Sequence, residues 1–160
     1  MPHHAILRPS TPSSTTKLRV VFDASAKMLP GKVSLNEALL VGGTVQNDLF
    51  TILLSFQKHR VAFTADLSKM YRQILVTPSH TCYQRIFWRA NQSDRLRVLE
   101  LTTVTYGTAS APFLATRCLT QLCEDDGDKF PLAANIIRND CYVDDIISGA
   151  NTTQVTHNTC

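Results

Sequence analysis

Cys141-Tyr142-Val143-Asp144-Asp145-Ile146 sets two adjacent carboxylates between short apolar stretches. Adjacent aspartates repel each other, so a fold that holds them in place usually supplies a cation. Successive side chains of an extended strand point to opposite faces, so both carboxylates reach one site only at a tight turn between two strands. Cys141-Tyr142-Val143 and Ile146-Ile147-Ser148-Gly149 read as those strands. An Asp-Asp tip offers oxygen donors suited to Mg²⁺, which binds through a few carboxylates plus substrate phosphates. Taken alone, a solvated Asp-Asp turn is the commoner source of such a pair.

A second acidic position shifts that balance. Val61-Ala62-Phe63-Thr64-Ala65 is a short apolar strand that delivers Asp66 at its C-terminal end. Neighbouring antiparallel strands can bring Asp66 and Asp144 together. Three carboxylates at one sheet end can hold two metal ions, and a two-metal site stabilises both the attacking and the leaving oxygen of an in-line phosphoryl displacement. That is nucleotidyl-transfer chemistry.

With 160 residues, 44% of them hydrophobic, the chain can bury one ordinary core and reads as one domain. No apolar run reaches the roughly 20 residues that span a bilayer, and Met1-Pro2-His3-His4 lacks a signal-peptide pattern, so an intracellular location follows. Cys82, Cys118, Cys123, Cys141 and Cys160 form no CxxC pair and read as reduced, mostly buried residues. Residues 1 to 117 carry 14 Lys or Arg against 6 Asp or Glu, and residues 118 to 160 carry 2 against 7. A basic body beside an acidic tail suits a protein that holds a polyanion on one surface and cations on another, although scattered solvated charge gives the same count.

Residues 6 to 16 read as an irregular lead-in, Leu18 to Phe22 as a strand ended by Asp23, and most of residues 24 to 43 as loop. Thr44 is placed to cap a helix from Val45 to about Lys58, with Leu49, Ile52, Leu53 and Phe56 on one face. Cys82 to Arg89 and Leu96 to Thr103 alternate as a strand pair around the turn Asn91 to Asp94. Pro112 opens a helix through Leu122 that the cluster Glu124 to Asp128 ends, and another helix spans Pro131 to about Arg138. Helices mixed with antiparallel strands give an α+β layer fold, and no internal repeat is present.

Asp66 with Tyr71 five residues on, Tyr106-Gly107-Thr108-Ala109-Ser110-Ala111-Pro112, and Tyr142-Val143-Asp144-Asp145 come in the order of motifs A, B and C of reverse transcriptases. Leu18-Arg19-Val20-Val21-Phe22-Asp23-Ala24-Ser25, Thr64 to Ile74 and Thr103 to Pro112 resemble the Bel/Pao group of long-terminal-repeat retrotransposons, over nearly the whole chain. Several ordered motifs are far more specific than one YxDD.

The resemblance implies a right-hand polymerase: fingers and palm, an antiparallel sheet with helices packed on one face. About residues 1–60 and 72–105 would be fingers and palm elements, and 61–71 and 106–150 the catalytic palm. It implies Asp66 and Asp144 as main ligands of two Mg²⁺ ions, for which Mn²⁺ can substitute, with Asp145 in support and the Leu67 carbonyl adding a ligand. Tyr71 would lie under the deoxyribose and exclude a 2′-hydroxyl, and Arg19 would reach the triphosphate with its guanidinium fork. Lys17 matches less clearly and reads as solvated. Gly107 would let the backbone approach nucleotide or template, Tyr106 would face the nucleotide or else pack as a buried aromatic, and Tyr142 would lie near the primer end. Arg72, Arg85 and Arg89 receive no role.

The implied activity is RNA-directed DNA synthesis from dNTPs on an RNA or DNA template with a primer. The partners would be the rest of the retroelement polyprotein, with no membrane, in a cytoplasmic particle. The chain stops at Cys160, so the thumb and primer-gripping hairpin would be absent and processive synthesis weak. The alternative is a degenerate retroelement remnant that at most binds nucleic acid; it should have lost one of Asp66, Asp144, Asp145 or Gly107, and all four are present.

Overall fold

Val61–Asp66 (β3), Cys141–Tyr142 (β6) and Asp145–Ala150 (β7) form an antiparallel sheet in the order β3-β7-β6. The computed structural model describes residues 1–7 and 18–151; Lys17, Cys160 and most of the Pro/Ser/Thr-rich lead-in lie outside the described residues. Two units organise the described chain. One is drawn from Met1–Val41 and Tyr71–Ala111, the other from Gly42–Met70 and the chain from Pro112 on.

In the first unit, His3–Leu7 (β1) pairs antiparallel with Leu18–Phe22 (β2), His3 opposite Phe22 and Leu7 opposite Leu18. β1 corrects the irregular reading of the lead-in at Ile6 and Leu7. Leu35–Ala38 (α1) is one short turn inside the expected loop, closed by a capping box between Ser34 and Glu37. The Lys27 ammonium, 2.7 Å from Glu37, and the Ser34 N–H hold the Glu37 carboxyl down at about 2.

Arg85–Trp88 (β4) pairs with Arg97–Glu100 (β5), and the Arg85 and Glu100 side chains meet at 2.8 Å across the ladder. The expected strand from Cys82 therefore begins three residues late. Pro78 at the first helical position starts a 3₁₀ helix over Pro78–Gln84, and the Gln84 amide donates to the carbonyls of Leu101 and Thr103.

In the second unit, Leu49–Phe56 (α2) starts later than a Thr44 cap would place it. The Asp48 carboxylate caps it, accepting from the Thr51 N–H at 3.0 Å. Of the expected apolar face only Ile52 is buried; Leu49 and Leu53 remain exposed and Phe56 is half-buried. Ala111–Asp126 (α3) outruns its expected end at Leu122 by four residues. Side-chain bonds from Arg117 to Gln121 and from Gln121 to Asp125, each 2.8 Å, carry it through the acidic cluster. It stops at Gly127, where a Cβ would lie 2.2 Å from the Cys123 carbonyl oxygen.

Pro131–Asp140 (α4) runs two residues past its expected end and leads directly into β6. α2 and α4 pack on β7 and on each other. The architecture is thus α+β, with three small antiparallel sheets among the described residues. Cys123 and Cys141 are buried and Cys82 half-buried as free thiols, but Cys118 is exposed, against the expected burial.

Candidate functional site

Register places the acidic positions. β3 and β7 pair one for one from Val61 opposite Ala150 to Asp66 opposite Asp145, and β6 sets Tyr142 opposite Asp145. Directly paired residues point to the same side of a sheet. Tyr142, Asp145 and Asp66 therefore form one row across three strands, at the sheet end where β6 turns into β7. Val61 and Phe63 are half-buried while Ala62, Thr64 and Asp66 are exposed, so this row lies on the open face. The opposite face carries Ser148, fully buried, whose hydroxyl donates to the Asp140 carboxylate.

Val143 and Asp144 are the two central residues of the hairpin turn, and Asp145 is already the first residue of β7. The expected Asp-Asp tip is thus shifted by one residue. Val143 has φ +57° and Asp144 does not share the positive sign, the pattern of a type II′ turn, whose first central place favours glycine. A β-branched residue there is a genuine outlier, a strain of about 1–3 kcal/mol of the kind that gathers at functional sites. Among the described residues only Lys69, at φ 54°, shares this conformation without being glycine, and it follows Asp66 by three positions.

Contacts from outside the hairpin hold the turn. The Leu67 N–H donates to the Asp144 carbonyl at 2.7 Å, fixing the end of β3 to the tip. The Val143 N–H donates to Gln46 Oε1 at 3.0 Å, and the Cys141 thiol donates to the Val143 carbonyl at 3.5 Å. The Leu67 carbonyl accepts from the Met70 N–H at 3.0 Å and keeps a second lone pair. Burial, then the Asp144 and Asp145 carboxylates, push the Cys141 thiol up to about 11.

Asp66 and Asp145 are exposed and Asp144 is half-buried. Like charges directly opposite on neighbouring strands destabilise a sheet, and a hard divalent cation relieves that cost. The donor chemistry, carboxylate oxygens with a backbone carbonyl nearby, fits Mg²⁺. Among the described residues, no three His, Cys, Asp or Glu side chains are gathered closely enough to hold an ion as they stand.

The remaining predicted residues belong to the first unit. Arg19 is exposed on β2, opposite Ile6. Tyr106 donates its hydroxyl to the Val20 carbonyl, packs its ring on Phe22 at 5.2 Å between centroids, and receives the Arg72 guanidinium 5.6 Å above it. Because Arg19 and Phe22 point to opposite faces of β2, Arg19 and the Tyr106 ring are not brought together. Gly107, at φ +90°, lets the chain pass close to β2, since a Cβ would lie 2.8 Å from the Phe22 carbonyl oxygen. Tyr71 is half-buried in a 3₁₀ turn, Met70–Gln73.

Sequence reasoning missed Asn36 and Gln46. The Asn36 amide donates to the Gly107 carbonyl at 3.1 Å and to Ser25 Oγ at 2.9 Å, and its oxygen accepts from the Ala109 N–H at 2.7 Å. It ties the end of β2 to the Gly107 segment. No helix among the described residues is long and apolar enough to cross a membrane. No protein-family model matches this sequence, and no curated protein is significantly similar to it.

Proposed function

We propose that this chain is the fingers-and-palm part of a reverse transcriptase of the Bel/Pao retrotransposon group, an RNA-directed DNA polymerase that transfers dNTPs onto a primer 3′-hydroxyl. One observation carries the reading. Asp66 pairs directly with Asp145, and the Leu67 N–H binds the Asp144 carbonyl at the strained turn, so Asp66 shares one sheet end with the adjacent pair Asp144-Asp145, which is distant from it in sequence. The ordered motifs around Asp66, Gly107 and Asp144 support it independently.

Asp66, Asp144, Asp145 and the Leu67 carbonyl would hold the metal ions. Two Mg²⁺ bound there supply charge neutralisation for the triphosphate and a lowered pKa for the primer hydroxyl. The carboxylates themselves only accept and orient, having no proton to give when ionised. Tyr142, next to Asp145 in the row, offers an apolar ring for the primer end. The resemblance assigns Arg19 to the triphosphate and Tyr71 to the exclusion of ribonucleotides.

Incorporation of a single dNTP on a primed RNA template tests the reading, because one addition does not require processivity. Incorporation should depend on Mg²⁺ or Mn²⁺ and drop at least about a hundredfold in Asp66→Asn and Asp144→Asn, the scale of losing electrostatic stabilisation of the transferred group. A chain that binds primed template yet adds no nucleotide with either ion is the degenerate remnant, and the proposal is then wrong.

A further inference from the structure

We infer that Gln46 is a positioning residue for the carboxylates, acting through the peptide of Val143; the role in metal use rests on the function proposed above. Rotation of the Tyr142–Val143 peptide carries the Val143 N–H with it, so the φ of Val143 and the direction of that N–H are one variable. In a type II′ turn the first central N–H is not used by the turn, whose own bond runs between its outer residues. The Val143 N–H therefore needs an acceptor from elsewhere, and Gln46 Oε1 at 3.0 Å provides it. A relaxed, negative φ would turn the N–H away and forfeit this bond. Gln46 thus offsets part of the strain of a β-branched residue held at φ +57°.

The next residue anchors the brace. Asn47 donates to the carbonyls of Arg138 and Asn139 at 3.5 and 3.4 Å, at the end of the helix that leads into β6. Segment 46–47 therefore grips both sides of β6, and Asp48 then caps α2, so one short segment joins the start of the helix to the hairpin. Asp145 takes its side of the sheet from its pairing with Asp66, so the angle of the Val143 peptide acts first on Asp144, the next residue of the turn, and through it on the start of β7. Gln46 touches no reacting atom in this scheme.

The experiment pairs Gln46→Met with Gln46→Glu and Val143→Gly. Gln46 borders a cavity of about 70 Å³ lined by Leu119, Ile137 and Cys141 and by the polar Thr116, Thr120 and Arg138, and Met keeps the length of the Gln side chain while removing the acceptor. In Gln46→Met the Val143 amide should exchange faster, and the Mg²⁺ concentration for half-maximal single-nucleotide incorporation should rise about threefold to tenfold, the factor that one net hydrogen bond makes in an equilibrium. Gln46→Glu keeps the acceptor and should protect the Val143 amide. Val143→Gly carries no penalty at positive φ, so Gln46→Met added to it should change the Mg²⁺ requirement by less than about twofold. Unchanged Val143 exchange in Gln46→Met overturns the brace, and faster exchange with an unchanged Mg²⁺ requirement overturns its positioning role. If the wild-type chain neither binds Mg²⁺ nor adds a nucleotide, the proposed polymerase falls and with it the role in metal use, while Val143 exchange still decides the brace.

Discussion

Replacing Asp145 with Asn should stabilise the metal-free protein, the reverse of what most substitutions do. Asp145 stands directly opposite Asp66 and both are exposed. Charges about 5 Å apart in a dielectric near that of water repel by about 0.8 kcal/mol, inside the range of about 0.2–1 kcal/mol for cross-strand pairs. Asn keeps the shape and removes the charge. In a chelator at low ionic strength, Asp145→Asn should melt about 2 °C above wild type. The difference should vanish in 1 M NaCl, where the screening length is about 3 Å. Mg²⁺ at about ten times its dissociation constant should add about 1.4 kcal/mol to wild type and far less to the variant, so the order of melting temperatures reverses. Thermal melts of both proteins under the three conditions decide the matter. A variant that melts below wild type in chelator, or an order that Mg²⁺ leaves unchanged, refutes the reasoning.

Gly107→Ala should lower the unfolding free energy by about 2 kcal/mol or more, because a left-handed backbone cost adds to the approach of Cβ to the Phe22 carbonyl. Gly31→Ala, at φ +77° with nothing within 4 Å, isolates the backbone cost, and denaturant titration of the two should differ by about 1 kcal/mol. The Cys141 thiol should resist iodoacetamide at pH 8 while exposed Cys118 reacts, read by mass spectrometry of the labelled peptides. Its folded pKa lies above the ordinary 9.0, so the folded state holds the proton more tightly. The associated stability is complete below about 9 and lost as pH rises towards 11, a decline that Cys141→Ala should flatten.

Asp66 was legible because an apolar strand ends on it, and the hairpin because two apolar flanks bracket its turn. The shift that makes Val143-Asp144 the turn and Asp145 a strand residue was not legible, since it follows from pairing against β3 and from side chains outside the hairpin. The start of α2 failed for a related reason. Thr44 and Asp48 both make sound caps, and the choice went to Asp48, with Gln46 and Asn47 engaged with Val143 and α4 and left outside the helix. α3 ran on through an acidic end that the helix dipole disfavours because Arg117, Gln121 and Asp125 form a ladder on one side of it. β1 gave no periodic signal, and only its partner β2 defines it. Gly107 was singled out for the approach of nucleotide or template, and the backbone that lies close to it in the structure is that of β2.

The one-for-one ladder between β3 and β7 also dictates which changes of chain length leave the acidic row in place. One residue inserted between Val61 and Asp66, in a ladder that otherwise kept its pairing, would carry the Asp66 carboxylate through the sheet to the side where Ser148 lies. Two would return it to the correct side but two residues beyond Asp145, level with Val143 in the turn. A single-codon insertion or deletion in β3 would therefore take Asp66 out of the row it shares with Asp145 and Tyr142, whereas the same change in residues 24 to 33, far from that ladder in sequence, would leave the pairing untouched.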